Sequence, residues 1–241
     1  MRAIVACMGA EQAEYRVALY PPYHAHRDPM PPDLAHQWQR APELLRSFGW
    51  TFADTPTLEA DDVMFSYALA EAARGGQALL VTADRDLFGA VGEHVEVLEL
   101  KRGGGAARVG VQEVRARYGV DPQQVPDFIA LRGDPSDGLP GAPGIGAKTA
   151  TELLRAHGTL EALLLDARSP GGAGRDLRPR TRAALLENEE LLLAFKQVAT
   201  LQRLKVRPPR DRATDYAGGA KAAAELGMRR LAERLSALAK A

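Results

Sequence analysis

Seven carboxylates fall in three short clusters of the chain: Glu59, Asp61 and Asp62 in LEADDV, Asp84 and Asp86 in TADRD, and Asp134 and Asp137 in GDPSDGLPG. Asp84 and Asp86 follow the apolar run 77–83 directly. In an extended segment, residues two apart project to one face, and the carboxyl ends of strands are where open α/β sheets bind ligands. A turn there could use one aspartate; two are harder to explain by structure alone. Glu59 and Asp62 share one side of a helix start while Asp61 points elsewhere, and plain stabilisation of a helix N-terminus is the simpler account of that cluster. Asp134 and Asp137 lie in a loop that Pro135, Gly138, Pro140, Gly141, Pro143 and Gly144 keep from being helical. A turn suited to phosphate follows at once. Together these placements point to metal-assisted phosphodiester chemistry.

That turn, Gly144-Ile145-Gly146 before Lys148 and Thr149, opens a helix expected over 147–157, with Ala150, Leu153 and Leu154 inward and a stop at Gly158. It resembles the hairpin of a helix-hairpin-helix DNA-binding element. Glycines let backbone N–H groups approach a phosphate where the helix dipole also favours negative charge, and Lys148 adds a full positive charge. A Gly/Pro-rich connector between two helices is the plainer alternative. The stretch 15–27, YRVALYPPYHAHR, interleaves Arg16, His24, His26 and Arg27 with tyrosines. It reads equally well as a strand-tracking surface or as a solvated loop.

The elements that must position these groups follow from apolar periodicity. Strands are expected at 2–8, 51–55, 77–83 and 94–100, the first as a buried strand of a parallel sheet and the third as the clearest buried strand. Helices are expected from an Asp33 cap to Gly49, with Leu34, Trp38, Ala41, Leu45 and Phe48 apolar and a kink at Pro42, and over 58–74, 111–118, 122–131 and 160–165. Residues 169–174 read as a loop. Residues 181–201 read as one or two helices, with Leu185, Leu186, Leu191, Leu192, Phe195 and Val198 as core, and 220–240 as a last amphipathic helix. The strand beginning at residue 2 suggests that an N-terminal element is missing.

Composition narrows the partners. A 241-residue chain with 46% hydrophobic residues can bury a proper core, as one large domain or a main domain with a smaller helical one. Formal net charge is zero, so nucleic-acid binding must come from local patches. The single Cys7 excludes an internal disulfide and suits a reducing cytoplasm, and no apolar run reaches membrane-spanning length. No surplus apolar surface demands a dimer, so a monomer is expected.

The order LEADDV, TADRD, GDPSDGLPG, GIGAKTA over nearly the whole chain resembles the 5′ nuclease family: bacterial 5′-3′ exonucleases, the 5′ nuclease domain of DNA polymerase I and flap endonucleases. The resemblance implies an α/β fold with a mostly parallel central sheet flanked by helices, a PIN-like core over 1–120. It places a helical DNA-binding region over 121–241, with a helix-three-turn-helix at about 133–158. It implies structure-specific hydrolysis of DNA at 5′ flaps, nicks or ends with Mg²⁺ or Mn²⁺. Glu59, Asp61 and Asp62 would belong to a first metal site, and Asp84, Asp86, Asp134 and Asp137 to a second, whole one. Gly144, Gly146, Lys148 and Thr149 would hold the duplex backbone, with a K⁺ ion at the helix-three-turn-helix, and Tyr23 would contact DNA. His24 and Arg27 would face the scissile phosphate. Two features depart from the pattern. Met8-Gly9 stand where a ligand aspartate is usual, Glu11 being wrongly spaced to replace it, and His24 stands where lysine is usual. The other reading these departures raise is a catalytically impaired DNA-junction-binding protein of the same fold.

Overall fold

The computed structural model describes residues 2–169 and 177–240. The loop expected at 169–174 lies, from 170 on, outside the described residues. The first half of the chain carries the strands: β1 (Val5–Cys7), α1 (Glu14–Leu19), α2 (Pro32–Ser47), β2 (Thr51–Ala53), α3 (Ala60–Ala72), β3 (Ala78–Thr82), β4 (Val95–Leu100), β5 (Ala106–Val109) and α4 (Val111–Tyr118). The second half is helical: α5 (Val125–Arg132), α6 (Ala147–His157), α7 (Leu160–Arg168), α8 (Pro179–Glu187), α9 (Glu189–Ala199), α10 (Tyr216–Glu225) and α11 (Arg229–Leu238).

The expected parallel pairings form, but not as one continuous sheet. β1 pairs parallel with β2, in register Val5 to Thr51, and β3 pairs parallel with β4, in register Ala78 to Val95. β5 adds antiparallel to β4. Periodicity missed β5 because it is a short edge strand, returned by Gly103, Gly104 and Gly105, all at positive φ. Along β4 the side chains alternate, with Val95, Val97 and Glu99 inward. The buried Glu99 is neutralised by Arg85 and Arg117, which lie 2.9 and 2.6 Å from its two oxygens.

The main core runs from Leu80, Val95 and Val97 of the strands through Leu87 and Phe88 into Phe128, Leu131, Leu154, Leu163, Leu185, Leu192 and Phe195 of the helical half. Strand and helical halves thus share one interior. A second, small cluster joins α2 to α10 and α11 through Phe48, Ala220, Ala223 and Leu235. Any Cβ at Gly219 would strike the Phe48 ring at 2.3 Å, so the glycine in α10 is what permits this close packing.

Several helical expectations are corrected. α2 begins at Pro32 with Pro31 as its N-cap, not at an Asp33 cap, since proline at the first helical position costs no hydrogen bond. Leu34 and Trp38, expected inward, are about half exposed, and no residue of α2 is fully buried, because only its C-terminal end meets the small cluster. Leu186 and Leu191 are also exposed, lying beside Asn188 where α8 gives way to α9. The final helix is two, broken at Gly227, whose φ of 76° ends α10. The stretch 15–27, read as a strand-tracking surface or a solvated loop, instead begins inside α1.

One polar tie holds three helices of the second half. Asp127 of α5 is buried, accepts the backbone N–H of Leu160 at the start of α7, and pairs with Lys196 of α9 at 2.6 Å. Lys196→Met leaves that carboxylate without its cation and is expected to cost about 3 kcal/mol in urea unfolding. Adding Asp127→Asn should recover part of the loss, because the stranded charge is then gone.

Candidate active site

The three acidic clusters meet. A cavity of about 200 Å³ is lined by Asp61, Asp84, Asp86 and Asp137, with Glu59, Arg16, Tyr23, His24 and Arg27 around them. Each carboxylate is delivered by a local device that its sequence encodes. Asp61 occupies the first turn of α3. Asp84 and Asp86 were expected to align in an extended segment, but β3 ends at Thr82 and the chain turns instead. The Asp84 N–H donates to Thr82 Oγ1 and the Asp86 N–H to Asp84 Oδ1, and Asp86 opens a 3₁₀ turn. Asp137 rides on a loop closed by paired backbone hydrogen bonds between Asp134 and Leu139, both 2.8 Å. That closure lets residues 132–133 cross 140–141 backbone against backbone: a Cβ at Gly141 would lie 2.4 Å from the Gly133 nitrogen, so no other residue fits.

Not every predicted ligand is free. Asp62 is fully buried, bonded to Arg16 at 3.0 Å and to the Gln202 N–H at 2.7 Å, and accepts the Glu59 N–H as a helix cap. Glu59 receives the Ala13 N–H, the Tyr23 hydroxyl and the Arg16 guanidinium. Arg16 itself is only 4% exposed and also donates to the Val198 carbonyl at 2.9 Å. A guanidinium therefore sits between the carboxylates assigned to the first metal site and holds them. The backbone of Gly9 presses on that same helix start: a Cβ there would meet Leu58 O at 2.5 Å, so no acidic side chain can stand at position 9. Asp134 accepts from the N–H and hydroxyl of Ser136 and stabilises its own turn, outside the cavity lining. Tyr23, expected at the DNA, is 3% exposed; its hydroxyl serves Glu59 and its ring stacks on His24 at 3.7 Å, so no base can stack there. His24 is buried with Nε2 2.9 Å from Asp137 Oδ1, while Arg27 reaches the same oxygen at 3.2 Å from an exposed position. Sequence reading treated Arg16 as one of several surface cations. Its place in α1, four residues after an unremarkable Gln12, held no signal for this role.

The electrostatics of Asp61, Asp84, Asp86 and Asp137 are those of crowded anions. Burial, then the charge of Asp84, pushes the Asp61 carboxyl up to about 7. Burial and the neighbouring aspartates raise Asp84, and raise Asp86 further. Asp137, although burial opposes its charge, is held below the usual range by the hydrogen bond from His24 and by neighbouring donors. Among the described residues no three such side chains already close around one point. Mg²⁺ and Mn²⁺ do not need a closed cage, since one or two carboxylates with waters and substrate phosphate complete their shell. An all-oxygen set of crowded carboxylates, three of which hold their protons more tightly than usual, fits such a cation at Asp61, Asp84, Asp86 and Asp137. Glu59 and Asp62 do not fit a second one.

The glycine turn lies on the surface of the helical half. Ile145 and Ala142 are buried and anchor it, while Gly144, Gly146 and Lys148 are exposed. Gly144 has a φ of 77°, but a Cβ at Gly146 would meet nothing within 4 Å, so packing does not demand that glycine. Gly146 caps α6 without a side-chain hydrogen bond, leaving the first N–H groups of the helix open. Arg178 and Arg180 line the same groove as Lys148 and Thr149 and extend its positive charge, a contribution that the motif did not show.

The family model described as 5′-3′ exonuclease, N-terminal resolvase-like domain, matches residues 1–119, and that described as 5′-3′ exonuclease, C-terminal SAM fold, matches residues 120–210. A 5′-3′ exonuclease of Mycobacterium tuberculosis is 34% identical over 94% of this chain and 77% of its own length. The thermostable DNA polymerase I of Thermus thermophilus is 36% identical over 90% of this chain, and the DNA polymerase I of Mycobacterium bovis 35% over 83%. The chain spans only about a quarter of those polymerases, 25% and 22% of their lengths. Among solved structures, the T5 D15 protein crystallised with metal ions superposes with a TM-score of 0.66 at 17% identity, over 97% of this chain and 82% of that one. The catalytic core of Rad2 in complex with DNA substrate gives 0.56 at 17% identity, over 96% and 76%. These two show the shared fold.

The raised Asp61 carboxyl has a measurable consequence. Its ionisation opposes folding above the ordinary carboxylate pKa, and the cost is complete only above about 7. In cation-free protein, Asp61→Asn should therefore raise the melting temperature at pH 8 by a few degrees, at roughly 2–4 °C per kcal/mol. The gain should vanish near pH 4, where both proteins are neutral at this position, as thermal melts across that range will show.

Proposed function

This chain belongs to the 5′-3′ exonuclease family, and from that premise we propose that it is a divalent-cation-dependent nuclease cutting DNA phosphodiester bonds at 5′ flaps, nicks or ends. The observation that carries the proposal is the convergence of Asp61, Asp84, Asp86 and Asp137 on one cavity from three separated motifs. These four residues are the proposed ligands, with Mg²⁺ or Mn²⁺ as the cation. When bound, it supplies a water of lowered pKa and neutralises charge on the scissile phosphate.

The chain's own residues do the rest. Arg27, exposed at the mouth beside Asp137, is placed to pair with a phosphate oxygen. Arg16 permanently offsets part of the charge of Glu59 and Asp62, so less negative charge faces the incoming backbone. Gly144, Gly146, Lys148 and Thr149, extended by Arg178 and Arg180, grip the duplex through its phosphates and so read shape and not sequence. The helical region is accordingly the DNA-holding part and the strand-bearing region the chemical one. The bonds made by Glu59 and Asp62 support one cation site in place of two.

Mn²⁺ titration followed by electron paramagnetic resonance should give one tightly held ion per chain. With Mg²⁺ or Mn²⁺, a 5′-flap duplex should be cleaved. Asp84→Asn and Asp137→Asn should lose activity beyond the roughly 10–100-fold typical of groups that only support a ligand. Lys148→Ala should weaken binding of all sequences alike and lower the salt slope of log K by about 1. The other reading, a junction-binding protein without turnover, draws on Met8-Gly9 and the Arg16 bridge. Salt-dependent flap binding with no cleavage in either metal would select it and overturn the nuclease.

A further inference from the structure

We infer that His24 is a nitrogen ligand of the cation held by the aspartates, and that this site consequently favours a first-row transition ion such as Mn²⁺ over Mg²⁺. The inference rests on the reading of the carboxylate cavity as a cation site, and it assigns to that site a donor of different chemistry.

His24 is 2% exposed and lines the cavity with Asp84, Asp86 and Asp137. A histidine buried for structural reasons normally satisfies both ring nitrogens. Here Nδ1 is buried with no hydrogen-bond partner, and Nε2, which donates across 2.9 Å to Asp137 Oδ1 in the cation-free protein, is the ligating atom: on loading, the ring proton moves to Nδ1 and the Nε2 lone pair turns to the ion. That separation has a meaning of its own. Two donors at right angles, each about 2.1 Å from one ion, are about 3.0 Å apart. The imidazole and the carboxylate thus already stand at the spacing of neighbouring ligands.

The backbone supports this placement at a cost. His24 has a φ of 56°, and no other non-glycine residue among those described has positive φ. Such a conformation persists where the surroundings over-determine it. The Tyr23 ring stacks on the imidazole at 3.7 Å, the His24 N–H reaches the Asp137 carbonyl, and the Arg27 N–H donates to the His24 carbonyl at 2.9 Å. A lysine here would present a fixed positive charge that repels a cation, whereas a neutral imidazole donates a lone pair to one. Carboxylates alone suit Mg²⁺ and Mn²⁺ alike, and imidazole shifts preference toward transition ions.

The test uses the full chain loaded with Mn²⁺ and electron spin-echo envelope modulation, a readout independent of cleavage. Wild type should show ¹⁴N modulation of a directly bound imidazole, replaced by the ¹⁵N pattern when histidine is ¹⁵N-labelled. The signal should disappear in His24→Gln and persist in His26→Gln, the exposed neighbour. In competition titrations, the Mn²⁺-to-Mg²⁺ affinity ratio should fall about ten-fold or more in His24→Gln. Should that variant fold poorly, the labelled wild type and His26→Gln decide the matter by themselves. Mn²⁺ bound without nitrogen modulation, or modulation lost with His26, overturns the inference and leaves the aspartate site standing. Protein that takes up no Mn²⁺ overturns both.

Discussion

The guanidinium of Arg16 is the contact on which the arrangement depends. It is buried between Glu59 and Asp62 at the start of α3 and reaches the carbonyl of Val198 at the end of α9. Asp62 in turn receives the N–H of Gln202. A charged group this deep is tolerable only when it is paired, and here each of its three nitrogens has an oxygen partner. The result is a clamp between the strand-bearing half and the helical half, set directly beneath the carboxylate cavity. Removing either carboxylate would leave this buried cation with half of its ionic pairing at a point where the two halves meet.

The same clamp divides the acidic residues into two kinds. Glu59 and Asp62 are spent on structure, with their oxygens filled by N–H groups, a tyrosine hydroxyl and Arg16. Asp61, one residue from Asp62, points the other way and joins Asp84, Asp86 and Asp137, whose mutual repulsion only a proton or a cation can relieve. Adjacent positions on one helix turn thus serve opposite ends. The division follows from helix geometry, because positions 59 and 62 share a face that 61 does not.

The loop from Gly133 to Gly141 links the carboxylate cavity to the glycine turn. Its inner side delivers Asp137 to His24 and Arg27, and the chain then continues through the buried Ala142 and Ile145 to the exposed glycine turn before α6. The turn of residues 22–27 packs against Gly138, where a Cβ would lie 3.2 Å from the Pro22 carbonyl. The distance between the cavity and the open helix N-terminus is therefore governed by one short, tightly folded segment.

Much of this was legible in the chain alone. Strands ending in acidic residues, the proline and glycine punctuation around Asp134 and Asp137, and the Gly-Ile-Gly-Ala-Lys turn encode local structure through φ restriction and apolar period, and these rules act over a few residues. The family resemblance rested on the same motifs, and the fold agrees with it. What sequence could not decide was which carboxylates would be consumed internally, because that depends on a cation arriving from α1, 43 positions before Glu59 along the chain, and on backbone N–H groups at Ala13 and Gln202. The burial of Tyr23 and His24, the split of the sheet and the exposure of Leu34 and Trp38 were equally hidden. Each is settled by what packs against the residue, and periodicity records only which face is apolar, not whether a partner comes to cover it.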